Sequence, residues 1–445
     1  MNLFLILLVP PFRGNMASES LFRCPETQQW KTLLASVNHG YVLMQRGAFA
    51  ESREELKEAS IAALVNLNGA FECSLGIAAM YRALAMSVTQ DPSLKTSLEH
   101  HVRSMKVGLR FLHLSMNWLT HAFVLHGFND GRWVDESIWP LSIVMINNDE
   151  TTVQKFLEAH GGQGDVASWP DVPDDFRDQD LKIGIVSVCD YSPTNPLPVL
   201  SHSNRAMYAS KYNYTLIEHN KRFDESRPHA WAKITLLQQY TLSKNLDWLV
   251  WFDCDTYFMN FNVTLDHLLF KYGGLLSDSG VPRLRRSFQM LIQEDHAMLN
   301  TGVFFIRTGE WSHKLLTTVY GDSTSPWIHH PWWENASFSH ALLSGLVLRA
   351  SDVMFFNYTA KTPGSDMIGI YPDGIIVAPQ WEFNSYHPVT SRLTMHDNWE
   401  PGKFVLAFSG CKSGSSQSVV EALYTNYYRV MCAINSLQDC LTMNE

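Results

Sequence analysis

The chain is poor in charge and has no basic surplus. Of 445 residues only 18% are charged, and 34 Lys and Arg against 44 Asp and Glu leave a formal net charge of −10. That balance excludes a surface built to neutralise a nucleic-acid backbone. The one basic cluster, Arg283, Arg285 and Arg286, is too short to reverse it and reads as a solvated loop. Long apolar runs are missing as well. The run from Leu3 to Val9 ends at Pro10 and Pro11, far below the roughly 20 residues that span a bilayer, and it lacks the basic segment of a secretory signal. It is either the remnant of a membrane anchor whose start lies upstream or an apolar leader, residues 1–20, packed on the domain. No repeat of fixed period is present. The seven cysteines lack metal-type pairing, and at most Cys432 and Cys440 are spaced to close a short disulfide.

What is present is a 46% hydrophobic chain, long enough to bury a large core and to form two or three domains. Residues 21–160 read as a helical domain. Asp91 and Pro92 supply a start, Gly127 a stop, and Val102, Met105, Leu109, Leu112, Met116, Leu119 and Phe123 recur every three or four residues. A second helical stretch runs from Glu54 to about Met86. Such helices would pack as a small bundle that dimerises, recruits a partner or covers a sheet. His100, His101, His113, His121 and His126 have no consistent carboxylate partner and read as surface or satisfied side chains. Residues 161–180, dominated by Gly, Asp and Pro, read as a linker. Residues 433–445 read as a tail.

From Leu181 the pattern changes to α/β. Leu181 to Val188 reads as a parallel strand, Asn204 to Tyr212 as a helix, Thr215 to Ile217 as a strand, Trp231 to Lys244 as a helix and Leu246 to Phe252 as a buried strand. This is the rhythm of a nucleotide-binding half-domain, with the ligand expected at strand carboxyl ends, near Val186, Ser187 and the loop that follows them. Asp253 and Asp255 lie at the end of the third strand. Two acids on one turn repel unless a cation lies between them, and Mg²⁺ or Mn²⁺ takes carboxylate and phosphate oxygens together. Four sequons, at Asn213, Asn262, Asn335 and Asn357, all fall after Leu181, as in a lumenal domain.

Five ordered blocks carry a family resemblance. They are His229-Ala230-Trp231-Ala232-Lys233, Trp251-Phe252-Asp253-Cys254-Asp255, Leu299 to Arg307 with Glu310-Trp311-Ser312, His330 to Asn335, and Phe404 to Lys412. Over residues about 181–428 the chain resembles glycosyltransferase family 34. The resemblance implies a GT-A fold: a Rossmann-like nucleotide-sugar-binding domain, residues 181–432, that transfers sugar with retention of configuration in the Golgi lumen. The implied partners are a nucleotide-sugar donor, with UDP-xylose or UDP-galactose ahead of GDP-mannose, and a glycan acceptor.

It also assigns roles. Asp253 and Asp255 would hold Mn²⁺ or Mg²⁺, while Lys233, Cys254, Thr301, Gly302, Gly410 and Lys412 would line the nucleotide and substrate. Asn300 and Glu334 would orient or activate the sugar, and Trp332, Trp333 and Trp381 would stack on sugar faces or fill the core. One position departs from the family pattern: Ala407 stands where a histidine usually completes the metal site, with His387 and His396 nearby in sequence. That gap motivates a rival reading, a catalytically inactive binding or scaffold subunit. A nucleotide-sugar hydrolase is the other enzymatic reading.

Overall fold

The computed structural model describes residues 28–65, 74–126, 132–133, 141–160, 172–192, 194–276, 282–295, 299–325, 327–330, 332–349, 374–388, 398–409, 411 and 416–437. The apolar leader, Gly127, Asn357, His396, Gly410, Lys412 and Cys440 lie outside them. The chain divides into two units, Met1–Asp165 with Thr324–Thr359, and Val166–Ser323 with Ala360–Glu445.

The first unit is mainly helical: α1 (Gln28–Gln45), α2 (Phe49–Val65), α3 (Ser74–Thr89), α4 (Leu98–His126) and α5 (Ile143–His160). Helix α1 packs on α2, and α4 packs on both α3 and α5. Val102, Met105, Leu112, Met116 and Leu119 are buried along α4, because a spacing of three and four places them on one stripe. The start differs from the sequence expectation. Asp91 caps a short 3₁₀ turn, accepting from Ser93 N at 2.8 Å, and α4 begins only at Leu98. The same carboxylate takes Arg53 Nη1 at 2.6 Å, tying the turn to α2. The stretch expected as one helix from Glu54 to Met86 is divided between α2 and α3.

The helix Trp333–Arg349 belongs to this unit and packs on α2 and α4. Asn117 donates to Ala336 O at 3.2 Å, and Trp118 meets Trp327 edge-on at 5.5 Å. Glu334, which the sequence reading placed with the α/β domain, is therefore a buried first-turn acid of the helical unit. Trp332 and Trp333 go with it.

The second unit is α/β. Its main sheet contains β1 (Ile183–Val188), β2 (Thr215–His219), β3 (Trp248–Phe252), β5 (Met290–Glu294), β6 (Leu299–Arg307) and β7 (Ile375–Ala378), in the order β7-β5-β6-β3-β1-β2. Strand β1 runs parallel to β2 and β3, β6 runs antiparallel to β3 and β5, and β7 is parallel to β5. A smaller sheet joins β8 (Ser385–Tyr386), β9 (Val405–Ala407) and β4 (Thr256–Phe258). Every residue of β3 is buried, with Val250 opposite Ile185 on one side and Phe305 on the other. This explains its unbroken apolar run. The helix Leu197–Tyr212 starts earlier than expected, at the proline loop, because a proline in a first turn gives up an N–H that has no helical partner there.

Three expectations are corrected in this unit. The carboxyl-terminal part of the expected linker, residues 172–180, is docked. Phe176 packs on Phe270 at 4.8 Å, Thr264 N donates to Asp174 O at 2.9 Å, and Arg177 Nε lies 3.2 Å from the fully buried Asp266. Phe176, Arg177 and main-chain atoms make the docking, while Asp174, Asp175 and Asp180 stay exposed. The expected tail begins inside the fold: Asn435 Oδ1 accepts from Phe261 N at 2.8 Å, and its Nδ2 donates to Met259 O at 2.9 Å. Third, Cys189 and Cys254 form a disulfide with Cα atoms 5.1 Å apart. Parallel pairing of β1 with β3 brings their ends together across 65 residues of sequence. Closing a loop of that length stabilises by about 4 kcal/mol in the chain-entropy account. Cys432 is also disulfide-bonded.

Candidate active site

At the carboxyl ends of the parallel strands β1 and β3 the chain turns through Asp253, Cys254 and Asp255. Each carbonyl of the turn is anchored. Asp253 O accepts from Thr256 Oγ1 and Arg205 Nη2, both at 2.6 Å. Cys254 O accepts from Ser201 Oγ at 2.6 Å and Arg205 Nη2 at 3.1 Å, and Asp255 O from Phe408 N at 2.9 Å. Asp253 N donates to Gly302 O at 2.8 Å, joining the turn to β6. With the disulfide added, the turn is held from several elements. Cys254, expected to line the nucleotide, thus spends its side chain on Cys189.

The Asp253 carboxylate is oriented by two donors. Its Oδ1 accepts from Trp251 Nε1 at 2.7 Å and lies 3.1 Å from Lys233 Nζ. Lys233 also donates to Thr301 O at 2.9 Å and Thr301 Oγ1 at 3.2 Å. These contacts use the three donors of an ammonium group. Lys233 is therefore a clamp between β6 and Asp253. Thr301 is buried with it. Asp255 lies within electrostatic reach of Tyr191, whose phenol is pushed well up by burial and then by the Asp255 charge.

Asn300 is also committed. Its Nδ2 donates to Asp295 Oδ2 at 2.9 Å and Tyr386 OH at 2.5 Å, while its Oδ1 accepts from Gly302 N at 2.7 Å and Asn384 Nδ2 at 3.0 Å. Two donors and two lone pairs are the whole capacity of an amide side chain. Asn300, expected to orient the sugar, is a hydrogen-bonding hub at the start of β6. Gly302 is where backbone comes close: a Cβ there would fall 2.9 Å from Asn300 Oδ1 and 3.5 Å from Asp253 Oδ2. Val186 and Ser187 are buried in the β1 ladder at its carboxyl end. Trp381 lies 5.6 Å from Lys271 Nζ, which pairs with Glu382 at 2.7 Å.

Arg205, Asp295, Asn384 and Tyr386 were not singled out from sequence. Asp295 precedes the Leu299–Arg307 block by four residues, the nearest thing to a signal. Tyr386 and Arg205 reach their partners across 86 and 48 residues, a separation that leaves no local pattern.

Among the described residues no group of three or more His, Cys, Asp or Glu is arranged to hold a metal ion. Ala407 pairs with Thr256 in β4 and with Tyr386 in β8, so it stands beside the turn and brings no ligating atom. His387 donates its backbone N–H to Ala407 O at 2.9 Å, while its ring lies against Phe408 and Tyr427. Burial lowers its pKa. Two carboxylates suit a hard divalent ion that shares its coordination with phosphate oxygens and water, and do not suit a closed all-protein site.

The model of the galactosyl transferase GMA12/MNN10 family matches residues 185–418, more than half of the chain. Among curated proteins, the probable alpha-1,6-mannosyltransferase MNN10 of Saccharomyces cerevisiae is 28% identical over 155 residues, 31% of this chain and 39% of that protein. The probable alpha-1,2-galactosyltransferase gmh1 of Schizosaccharomyces pombe is 23% identical over 230 residues, 47% of this chain and 61% of that protein. In both cases the match spans less than two thirds of the relative. The crystal structure of a glycosyltransferase involved in the glycosylation of the major capsid of PBCV-1 superposes at a TM-score of 0.36 and 14% identity, over 55% of this chain and 99% of that one. A likeness that weak carries no argument. The family match does: this chain belongs to the galactosyl transferase GMA12/MNN10 family, which is glycosyltransferase family 34.

Proposed function

We propose that this member of the galactosyl transferase GMA12/MNN10 family moves a sugar from a nucleoside-diphosphate donor to a hydroxyl of a glycan, with retention of configuration, on a GT-A fold. The observation that carries the reading is the braced Asp253–Asp255 turn at the carboxyl ends of β1 and β3, with Gly302 of the family block hydrogen-bonded to Asp253. Asp253 and Asp255 would hold Mn²⁺ or Mg²⁺. The ion, when bound with the diphosphate, supplies charge neutralisation at the leaving group. The chain's own contribution is orientation. Lys233 and Trp251 fix Asp253, the Asn300 hub fixes the start of β6, and Gly302, lacking a side chain, lets the backbone lie against both. Preorganised groups of this kind need little reorganisation as charge develops.

The relatives are named as mannosyl- and galactosyltransferases, which supports a UDP- or GDP-hexose donor, with UDP-xylose kept in the same panel. The Cys189–Cys254 disulfide supports an oxidising, lumenal compartment. So does the exposure of the sequon residues Asn213 and Asn262. A second reading, a binding subunit without turnover, is favoured by one observation: Ala407 stands beside the turn without a ligating atom.

A panel of UDP- and GDP-sugars offered to the full chain, with and without Mn²⁺, tests both. Metal-dependent release of UDP or GDP with glycosylated product is expected. Donor binding without transfer to any acceptor would select the binding subunit, and release of free sugar would indicate hydrolysis.

A further inference from the structure

We infer that Arg205 is a positioning residue: its buried guanidinium sets the direction in which Asp253 and Asp255 leave the sheet, and so the affinity of the site for a divalent ion and a diphosphate. The inference rests on the functional reading above. Arg205 projects from the helix Leu197–Tyr212 and is fully buried. Its Nη2 donates to Asp253 O at 2.6 Å and to Cys254 O at 3.1 Å, while Nη1 donates to Glu218 Oε1 at 3.0 Å and lies 3.8 Å from Cys189 Sγ. One planar cation thus touches two successive peptides of the turn, the strand β2 and the disulfide.

Simple space filling does not account for this. A buried cation carries a desolvation penalty of several kcal/mol, and an ion pair is often matched by an apolar side chain of similar volume. What an apolar side chain cannot do is hold peptide planes. Fixing the carbonyls of Asp253 and Cys254 fixes the planes on both sides of Cys254, and with them the Cα–Cβ directions of the flanking aspartates. A lysine would offer a point charge without the planar fork that lets one group face the carbonyls and Glu218 at once. Ser201 Oγ, one turn earlier on the same helix, grips Cys254 O as well. The disulfide binds the Cys254 side chain to the loop after β1. Within this brace Arg205 is the member that reaches both peptides.

The test compares wild type, Arg205→Met, Arg205→Lys and the double variant Arg205→Met/Glu218→Gln, all in the full chain. Arg205→Met leaves Glu218 without its guanidinium partner and should lower both Tm and the calorimetric affinity for UDP or GDP with Mn²⁺. The double variant removes both charges, so Tm should return toward wild type. Its nucleotide affinity should stay at least tenfold weaker, and amide exchange in the peptide covering Asp253–Thr256 should be at least tenfold faster, with the β6 peptide unchanged. Arg205→Lys should keep the ion pair and the Tm without restoring affinity. A double variant, or a stable Arg205→Lys, whose turn exchanges and binds nucleotide as wild type does would overturn the inference and leave Arg205 a structural ion pair. If wild type binds neither UDP nor GDP, the functional reading fails, and the exchange comparison alone still decides whether Arg205 holds the turn.

Discussion

Lys233 Nζ lies 3.1 Å from Asp253 Oδ1, and the lysine side chain is only 3% exposed. Asp253 therefore compensates a buried cation and is part of the brace that holds the turn. Removing one member of a buried pair typically costs about 3–5 kcal/mol. Asp253→Asn should lose stability on that scale, and both Asp253→Asn and Asp255→Asn should lose transfer. Chemical denaturation beside an activity assay separates the effects. An Asp253→Asn protein as stable as wild type would contradict the clamp assigned to Lys233.

Arg177 holds residues 172–180 to the second unit through Asp266, whose carboxyl is raised chiefly by burial despite its partners. Arg177→Ala should cost about 3 kcal/mol and expose new protease sites between Val172 and Asp180. Mapping of early chymotryptic cuts, expected after Phe176, checks this. An unchanged digestion pattern would show the docked segment to be held without Arg177.

What was legible from sequence, and what was not, follows from range. The β3 run, the carboxylate turn and the stripe of α4 were readable because burial imposes a local period or a continuous apolar run. The Cys189–Cys254 bond and the Arg205 contacts were not, since they depend on β1 pairing in parallel with β3. Lys233 and Asn300 were singled out as residues of the site, but that they brace the turn was not legible. A motif gives the residue, and only the surrounding donors and acceptors show whether its capacity is already spent. Glu334 was misplaced for a similar reason: composition around it reads as α/β while its contacts lie with the helical unit.

Glu150 on α5 is buried, and its Oε1 has no partner among the described residues. Burial first, and then the charge of Asp149, raise its carboxyl from 4.5 to about 8. A folded value above the unfolded one contributes stability that is fully present below the unfolded value and lost as pH rises through the folded one. Glu150→Gln should therefore resemble wild type near pH 4.5 and exceed it increasingly toward pH 8, by roughly 3 kcal/mol near neutrality. Parallel stability curves from pH 4.5 to 8 would show that Glu150 ionises freely in the folded chain.

Ala407 pairs with Thr256 directly after the turn. Ala407→His should add an imidazole beside the carboxylates, and the Mn²⁺ concentration giving half-maximal nucleotide binding should fall about tenfold, corresponding to about 1.4 kcal/mol. Titration of Mn²⁺ into both proteins at fixed UDP reads this directly. No change would mean that the β9 position does not face the ion.

The most direct measurement is calorimetric titration of UDP and GDP into wild type and Asp255→Asn, each with Mn²⁺ and with chelator. Binding of one nucleotide by wild type that requires Mn²⁺, and its loss in a cooperatively folded Asp255→Asn protein, is the predicted result. Equal binding by the two proteins, or binding indifferent to chelator, would contradict a metal-assisted diphosphate site at Asp253–Asp255.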